Sequence, residues 1–203
     1  SNALSLVKAM MHGPGAVQYV RQQQPAGLGH AVWCARHLIG NDPVAVLLAD
    51  DLILGESCVR EMVEAYDGGN MVAVMDVPRE QTGAYGIVTP GDDDGRVVDV
   101  RGLVEKPKPD EAPSTIGVVG RYIIAPEVFK ALDSQERGAG GEIQLTDALA
   151  KQIGGAPFKG LRFSGERFDC GSKLGFLQAN IAFGLANGSL EADLRDWMTG
   201  RLS

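Results

Sequence analysis

No stretch of this 203-residue chain is apolar over the ~20 residues that a membrane-spanning helix needs, and no charged n-region followed by an apolar h-region opens it. The expectation is a cytoplasmic protein without membrane contact. Cysteine is scarce: Cys34, Cys58 and Cys170 are odd in number and lack C-x-x-C spacing, which fits neither a disulfide framework nor a zinc site and leaves reduced thiols. The three histidines, His12, His30 and His37, are scattered and form no metal or triad pattern. Positive charge is also short. With 19 Lys and Arg against 26 Asp and Glu, the net charge is −7, so the clustered cations that sequence-independent nucleic-acid binding requires are missing. Small phosphorylated ligands stay compatible, because a few local charges override a global sum. Neither G-x-G-x-x-G nor Gly-Lys-Ser/Thr occurs, which removes the usual dinucleotide and Walker A loops.

What is present reads as one globular domain: 44% hydrophobic and 22% charged residues. Glycine is in excess, with 27 residues, about twice the average usage of ~7%. Ser1-Asn2-Ala3 reads as a tag remnant, leaving residues 4–203 as a single domain. Leu4 to Met10 has helical spacing, Gly13-Pro14-Gly15 breaks it, and Ala16 to Arg21 reads as a short strand. Gln22 to His30 is a glycine-punctuated loop before a helix from about Ala31 to Ile39. Val44 to Leu48 is apolar on both faces, the pattern of a central parallel strand. A helix is predicted over Ser57 to Tyr66, with Ser57 as N-cap, and a strand over Met71 to Val77. Tyr85 to Thr89 and Arg96 to Val104 alternate around Pro90-Gly91-Asp92-Asp93-Asp94-Gly95, a hairpin signature. A strand follows over Gly117 to Ala125, helices over Pro126 to Leu132 and Gly141 to Ile153, a strand over Phe158 to Phe163, and helices over Ser172 to Ala186 and Leu190 to Met198. The order implies an α/β sheet, partly parallel, with an antiparallel insertion.

Ligands of open α/β sheets bind beyond the carboxyl ends of the strands, so Asp50 and Asp51 come first. Two carboxylates there suit one divalent cation completed by waters and phosphates; a polar strand terminus is the plainer reading. Gln22 to Ala31 offers glycines for close backbone approach and free N–H groups at a helix start, or simply a turn. Glu105 and Lys106, adjacent on an extended segment, point to opposite faces, one for sugar hydroxyls and one for a phosphate; a solvated charged turn is the plainer reading. Asp169, ahead of a helix, is either an N-terminal cap or a second metal carboxylate.

In this order the pieces are more specific than any one alone. Gly27-Leu28-Gly29-His30-Ala31, Val46-Leu47-Leu48-Ala49-Asp50-Asp51, Ala84-Tyr85-Gly86, Val104-Glu105-Lys106-Pro107, Gly141-Glu142-Ile143-Gln144-Leu145-Thr146-Asp147-Ala148 and Asp169-Cys170-Gly171-Ser172-Lys173 closely resemble the bacterial UTP–glucose-1-phosphate uridylyltransferases. The resemblance runs over essentially residues 4 to 203. It implies the nucleotide-diphospho-sugar transferase fold, a Rossmann-like mixed sheet flanked by helices. The implied reaction joins UTP and glucose 1-phosphate into UDP-glucose and pyrophosphate, with Mg2+. Position by position, the resemblance implies Gln22 and Gly27 at the uracil, Gly86 and Glu105 at the glucose hydroxyls and Lys106 at the sugar phosphate. Asp50 and Asp169 would hold the metal, and Lys173 is a further substrate contact. Asp50, Lys106 and Asp169 would carry catalysis. A thymidylyltransferase and a non-catalytic nucleotide-sugar-binding relative are the alternatives. The family's first strand and its Gly-x-Gly-Thr-Arg and Pro-Lys-Glu segments, which grip the triphosphate, do not occur in these 203 residues. An N-terminally truncated domain with little turnover of its own is therefore expected, from a whole protein that forms homo-oligomers.

Overall fold

The computed structural model describes residues 2–9 and 11–202. The chain opens with helix α1 (Asn2–Ala9); the predicted helix extended to Met10, which lies outside the described residues. Residues 11–21 are exposed throughout, and the strand predicted over Ala16 to Arg21 does not form. Among the described residues no strand runs beside it. A lone strand leaves its N–H and C=O groups to water and gains nothing from being extended.

Six strands build the main sheet: β1 (Val44–Leu47), β3 (Asn70–Asp76), β4 (Gly86–Asp93), β5 (Val97–Glu105), β6 (Ile116–Ile124) and β7 (Phe158–Arg162). Their order is β1-β6-β3-β7-β5-β4, and β4 curls back to touch β6 through Ile87 and Gly117. Only β3 and β7 run parallel; the other pairings are antiparallel. The β4–β5 hairpin closes on Asp93 and Asp94, whose carboxylates accept the N–H groups of Gly95, Arg96 and Val97. β1 corrects an expectation. It is an edge strand, antiparallel to β6, with Ala45 and Leu47 exposed and Val44 and Val46 half-buried. Its apolar run has only one covered face among the described residues.

A second sheet was not foreseen. β2 (Asp51–Leu54) pairs antiparallel with β8 (Glu166–Asp169), placing Asp51 opposite Asp169 and Leu52 opposite Phe168. Such a pairing joins segments far apart in the chain, so no local turn signal announces it.

Helices cover both faces of the main sheet, and strand alternation assigns each side chain its layer. On one face, Val72, Val74, Ile124 and Val98 pack against α2 (Leu28–Cys34), α4 (Glu127–Leu132) and α5 (Leu145–Ala150) through Val32, Val128, Leu132 and Leu149. On the other, Met71, Ala73 and Ile123 meet Cys58 and Met62 of α3 (Cys58–Ala65), whose N-terminus Ser57 caps by accepting the Arg60 N–H. α6 (Lys173–Ala186) and α7 (Glu191–Leu202) finish the chain. The result is a mixed α/β sheet between helical layers. α2 begins three residues sooner than predicted and gives way to a short 3-10 turn, Arg36–Leu38. α5 is shorter than the predicted 141–153, because the backbone of Ile143 is spent elsewhere: its N–H donates to Ala26 O (2.7 Å) and its C=O accepts from Gly29 (2.9 Å). No helix among the described residues is long and apolar enough to cross a membrane.

Candidate functional site

Asp50 sits at the exposed turn between β1 and β2, and its C=O accepts the Cys170 N–H at 2.8 Å. Asp169 ends β8, and its Oδ1 accepts the Gly171 N–H at 2.9 Å. A methyl group placed on Gly171 would stand 3.0 Å from Asp169 Oδ1 and 3.4 Å from Asp50 Oδ2. The two carboxylates therefore face one point, which Gly171 leaves open. Asp51 does not join them. It is buried at 4% exposure and turned into the protein, where Arg167 Nε and Nη2 donate to Oδ1, both at 2.5 Å. The expectation that the adjacent pair Asp50-Asp51 shares a ligand is corrected. The Gly120 N–H and the Arg167 guanidinium draw Asp51 inward, and Asp50 Oδ2 instead faces Asp169 Oδ1 around Gly171.

Gly86 opens β4 directly across from Glu105. A Cβ on Gly86 would lie 3.2 Å from Glu105 Oε2 and 3.2 Å from the Thr146 methyl, so a Gly, a half-buried carboxylate and a hydroxyl-bearing side chain line one small recess. Lys106 stands at its rim, with Nζ 3.7 Å from Glu105 Oε1. Here too an expectation changes. Lys106 has φ 47°, in the left-handed region, so the segment is not extended and the two side chains share one side. A lysine held in that conformation carries a local backbone cost of about 1–3 kcal/mol, of the kind found at ligand sites.

The loop ahead of α2 forms the far side. Gln22 Nε2 donates to Gly27 O at 3.1 Å and lies 2.9 Å from His30 Nδ1, which fixes the amide against the loop. Gly27, at φ 108° and ψ 171°, lies against Glu142 and Ile143. Three residues on, Thr146 meets Gly86. The segment 142–146 thus joins the Gln22–Gly27 loop to the Gly86–Glu105 recess. Lys173, the first residue of α6, is exposed beside the Asp169 turn, with Ser172 capping the helix by accepting the Gly175 N–H at 3.0 Å. Among the described residues no cluster of three or more His, Cys, Asp or Glu side chains is arranged for a metal. Two convergent carboxylates suit a magnesium ion, which keeps waters and takes ligand phosphates for the rest of its octahedron.

The family model for nucleotidyl transferases matches residues 6–182. The chain belongs to this family. It is 54% identical over 177 residues to the UTP–glucose-1-phosphate uridylyltransferase of Komagataeibacter xylinus, covering 86% of this chain and 62% of that protein. It is 42% identical over 190 residues to the enzyme of the same name from Bacillus subtilis (strain 168), covering 92% of this chain and 65% of the relative. A UTP-bound UGPase from Acinetobacter baumannii superposes with a TM-score of 0.86 at 34% identity, over 98% of this chain and 70% of that one. UDP-glucose pyrophosphorylase complexed with UDP-glucose superposes at 0.80 and 38% identity, over 84% and 66%. A glucose-1-phosphate thymidylyltransferase from Bacillus anthracis shares the fold at 24% identity and a TM-score of 0.60. This nucleotidyl transferase chain spans between 62% and 65% of the length of these two curated relatives.

Within the nucleotidyl transferase, three residues beside the site were given no role from the sequence: Tyr85, Thr146 and Arg167. Tyr85 and Thr146 sit inside recognisable motifs, next to Gly86 and Asp147, which was the available signal. Arg167 had none, because its contact depends on the β2–β8 pairing. The electrostatics follow the packing. Burial pushes the Tyr122 phenol well above its usual range, and the negative charges of Glu105 and Asp51 add to the shift. Burial likewise raises the Asp147 carboxyl, behind Thr146.

Proposed function

We propose that this chain carries the metal carboxylates, the sugar cradle and part of the base-reading loop of a UTP–glucose-1-phosphate uridylyltransferase. The observation that carries the reading is the placement of Lys106 at the rim of the Gly86–Glu105–Thr146 recess. A carboxylate accepts sugar hydroxyls strongly, and a compact ammonium beside it meets the phosphate of the same ligand. A phosphate oxygen of glucose 1-phosphate attacks the α-phosphorus of UTP. The bond from that phosphorus to the β-phosphate bridge breaks, and pyrophosphate leaves. The attacking phosphate is already ionised at neutral pH, so no general base is required, and the protein positions reactants and offsets charge. Lys106 lowers the repulsion between the two anions, Glu105 and Gly86 orient the glucose, and Gln22 and Gly27 hold the uracil. Asp50 and Asp169 would hold Mg2+, whose charge supports the nucleotide phosphates. Lys173, exposed at the start of α6, adds a cation on the same side. A cytoplasmic location and a homo-oligomeric whole protein belong to this reading.

Calorimetric titration of the 203-residue chain with UDP-glucose and Mg2+ tests it. UDP-glucose is expected to bind more tightly than dTDP-glucose, and Glu105→Gln or Lys106→Ala to weaken it by ~10-fold or more, the loss of a charge-assisted contact. Asp50→Asn is expected to remove the magnesium dependence. Equal binding of both nucleotide sugars would favour a less selective relative, and no binding would refute the reading.

A further inference from the structure

The turn that carries Asp50 also sends Asp51 inward, and its contacts reach both halves of the site. Oδ2 accepts the Gly120 N–H of β6 at 2.6 Å, while Oδ1 takes the Arg167 fork. The third guanidinium nitrogen, Nη1, donates to the Tyr85 hydroxyl at 3.2 Å. Tyr85 in turn accepts the Lys106 N–H on its own C=O at 2.9 Å and immediately precedes Gly86. At the other end, Asp51 follows Asp50 and lies opposite Asp169 in the β2–β8 register. Arg121 adds a hydrogen bond to the Asp51 C=O and another to Leu48 O at 2.9 Å. The path from the carboxylates facing Gly171 to the lysine at the sugar recess therefore runs through one buried ion pair.

Stability alone does not call for such a pair. Apolar side chains of similar volume usually serve as well in a protein interior, whereas an ion pair fixes geometry through directed bonds. Charge gives a second reason. Asp50, Asp51 and Asp169 lie together, and Arg167 neutralises the inward one, leaving two carboxylates rather than three to face the ligand side.

We infer that Asp51, Arg167 and Tyr85 are positioning residues that hold the metal carboxylates and the sugar cradle at one spacing. The inference rests on the functional reading above. Its consequence is a coupling: Mn2+ bound at one end tightens UDP-glucose at the other, by a factor that depends on the connection staying intact. Tyr85→Phe removes only the hydroxyl. Arg167→Lys keeps the charge on Asp51 but has no fork with which to reach Tyr85 at the same time.

The test is titration of the 203-residue chain and both variants with Mn2+ alone, followed by spin resonance, and with UDP-glucose in the presence and absence of Mn2+, followed by calorimetry. In Tyr85→Phe, Mn2+ alone is expected to bind within about twofold of wild type, and UDP-glucose with Mn2+ to bind ~3–10-fold more weakly, as loss of one ordinary hydrogen bond would give. The factor by which Mn2+ tightens UDP-glucose is expected to fall several-fold in both variants, leaving only the direct attraction between the metal and the nucleotide phosphates. A purely structural role would lower the melting temperature and leave that factor unchanged in the folded protein, and this result would overturn the positioning role. Where Arg167→Lys fails to fold, Tyr85→Phe decides. Wild-type chain that binds neither Mn2+ nor UDP-glucose would overturn the functional reading and this inference together, whereas wild-type binding with unchanged coupling in the variants overturns this inference alone.

Discussion

Gly27→Ala is a test of how the Gln22–Gly27 loop is held against the 142–144 segment. At φ 108° and ψ 171°, Gly27 occupies backbone space that is essentially closed to other residues, so any side chain there costs about 1–3 kcal/mol before packing is considered. Packing adds to it. The new Cβ would stand 2.7 Å from Ile143 O, 2.8 Å from Glu142 Cβ and 2.9 Å from Ile143 N, closer than real Cβ atoms come. The loop and the 142–144 segment must then separate. That stretches the Ile143 N–H to Ala26 O bond of 2.7 Å and the Gly29 N–H to Ile143 O bond of 2.9 Å, each with a net value of about 0.5–1.5 kcal/mol. Together the substitution is expected to cost roughly 2–6 kcal/mol. For a chain of this size that is a fall in Tm of roughly 4–24 °C. Two controls separate the contributions. Gly15, at φ 78°, has nothing within 4 Å of its Cβ position, so Gly15→Ala meets a backbone cost of only about 1 kcal/mol. Gly13 has open space and no left-handed φ, and Gly13→Ala is expected to be neutral within about 0.5 kcal/mol. Circular dichroism melts report the whole fold. Trp33, whose indole N–H donates to Asp133 at 2.7 Å from the same helix, gives a local fluorescence signal. A Gly27→Ala protein as stable as Gly15→Ala would refute the claim that the loop is clamped against Ile143.

Lys106→Gly relieves a left-handed backbone and removes the cation together, so the variant is expected to be up to about 1 kcal/mol more stable while binding glucose 1-phosphate ~10-fold or more weakly; unchanged affinity in calorimetry would remove Lys106 from the phosphate. Burial pushes the Cys58 thiol up to about 11 from 9.0, so it stays neutral at pH 8 and is expected to react with a disulfide reagent after Cys34 and Cys170. The same shift gives a sign. The unfolded thiol ionises first, so the stability Cys58 contributes is intact below pH 9.0 and is lost as pH rises toward about 11, which urea titrations at a series of alkaline pH values would show as a falling midpoint.

Local chemistry was legible in the sequence wherever one segment decides its own structure. Ser57 caps α3 where the helical period of Val59, Met62 and Val63 begins, and Pro90 to Gly95 turns the β4–β5 hairpin. Motif order grouped Gln22, Gly27, Asp50, Gly86, Glu105, Lys106 and Asp169 into one expected site; in the structure Gly86 lies beside Glu105, Lys106 beside Glu105, and Asp50 near Asp169. What failed was non-local. Val44 to Leu48 reads as a central strand because its residues are apolar on both sides, yet burial depends on what lies beside it, and only β6 does among the described residues. Gly141 to Gln144 has the composition of a helix start, but the Gln22–Gly27 loop claims Ile143's backbone bonds, and these four residues of helix are given up for that contact.

Asp51 shows why the remaining part of the site escapes pattern reading. In the sequence it is the second of two identical residues at the end of an apolar run, and nothing in its neighbours separates it from Asp50. The separation comes from the pairing of β2 with β8, which places Arg167 where only the inward carboxylate can reach it. That pairing also brings Asp169 beside Asp50. One long-range contact thus decides which aspartate faces outward and which is buried. It follows that Asp51→Asn and Asp50→Asn, conservative and adjacent changes, should differ in kind. The first leaves the half-buried Arg167 without its anion, and loss of a charged hydrogen-bond partner costs about 1.5–3 kcal/mol. The second leaves the fold intact and removes metal binding. Equal melting temperatures for the two variants would contradict the division of labour that the β2–β8 sheet imposes.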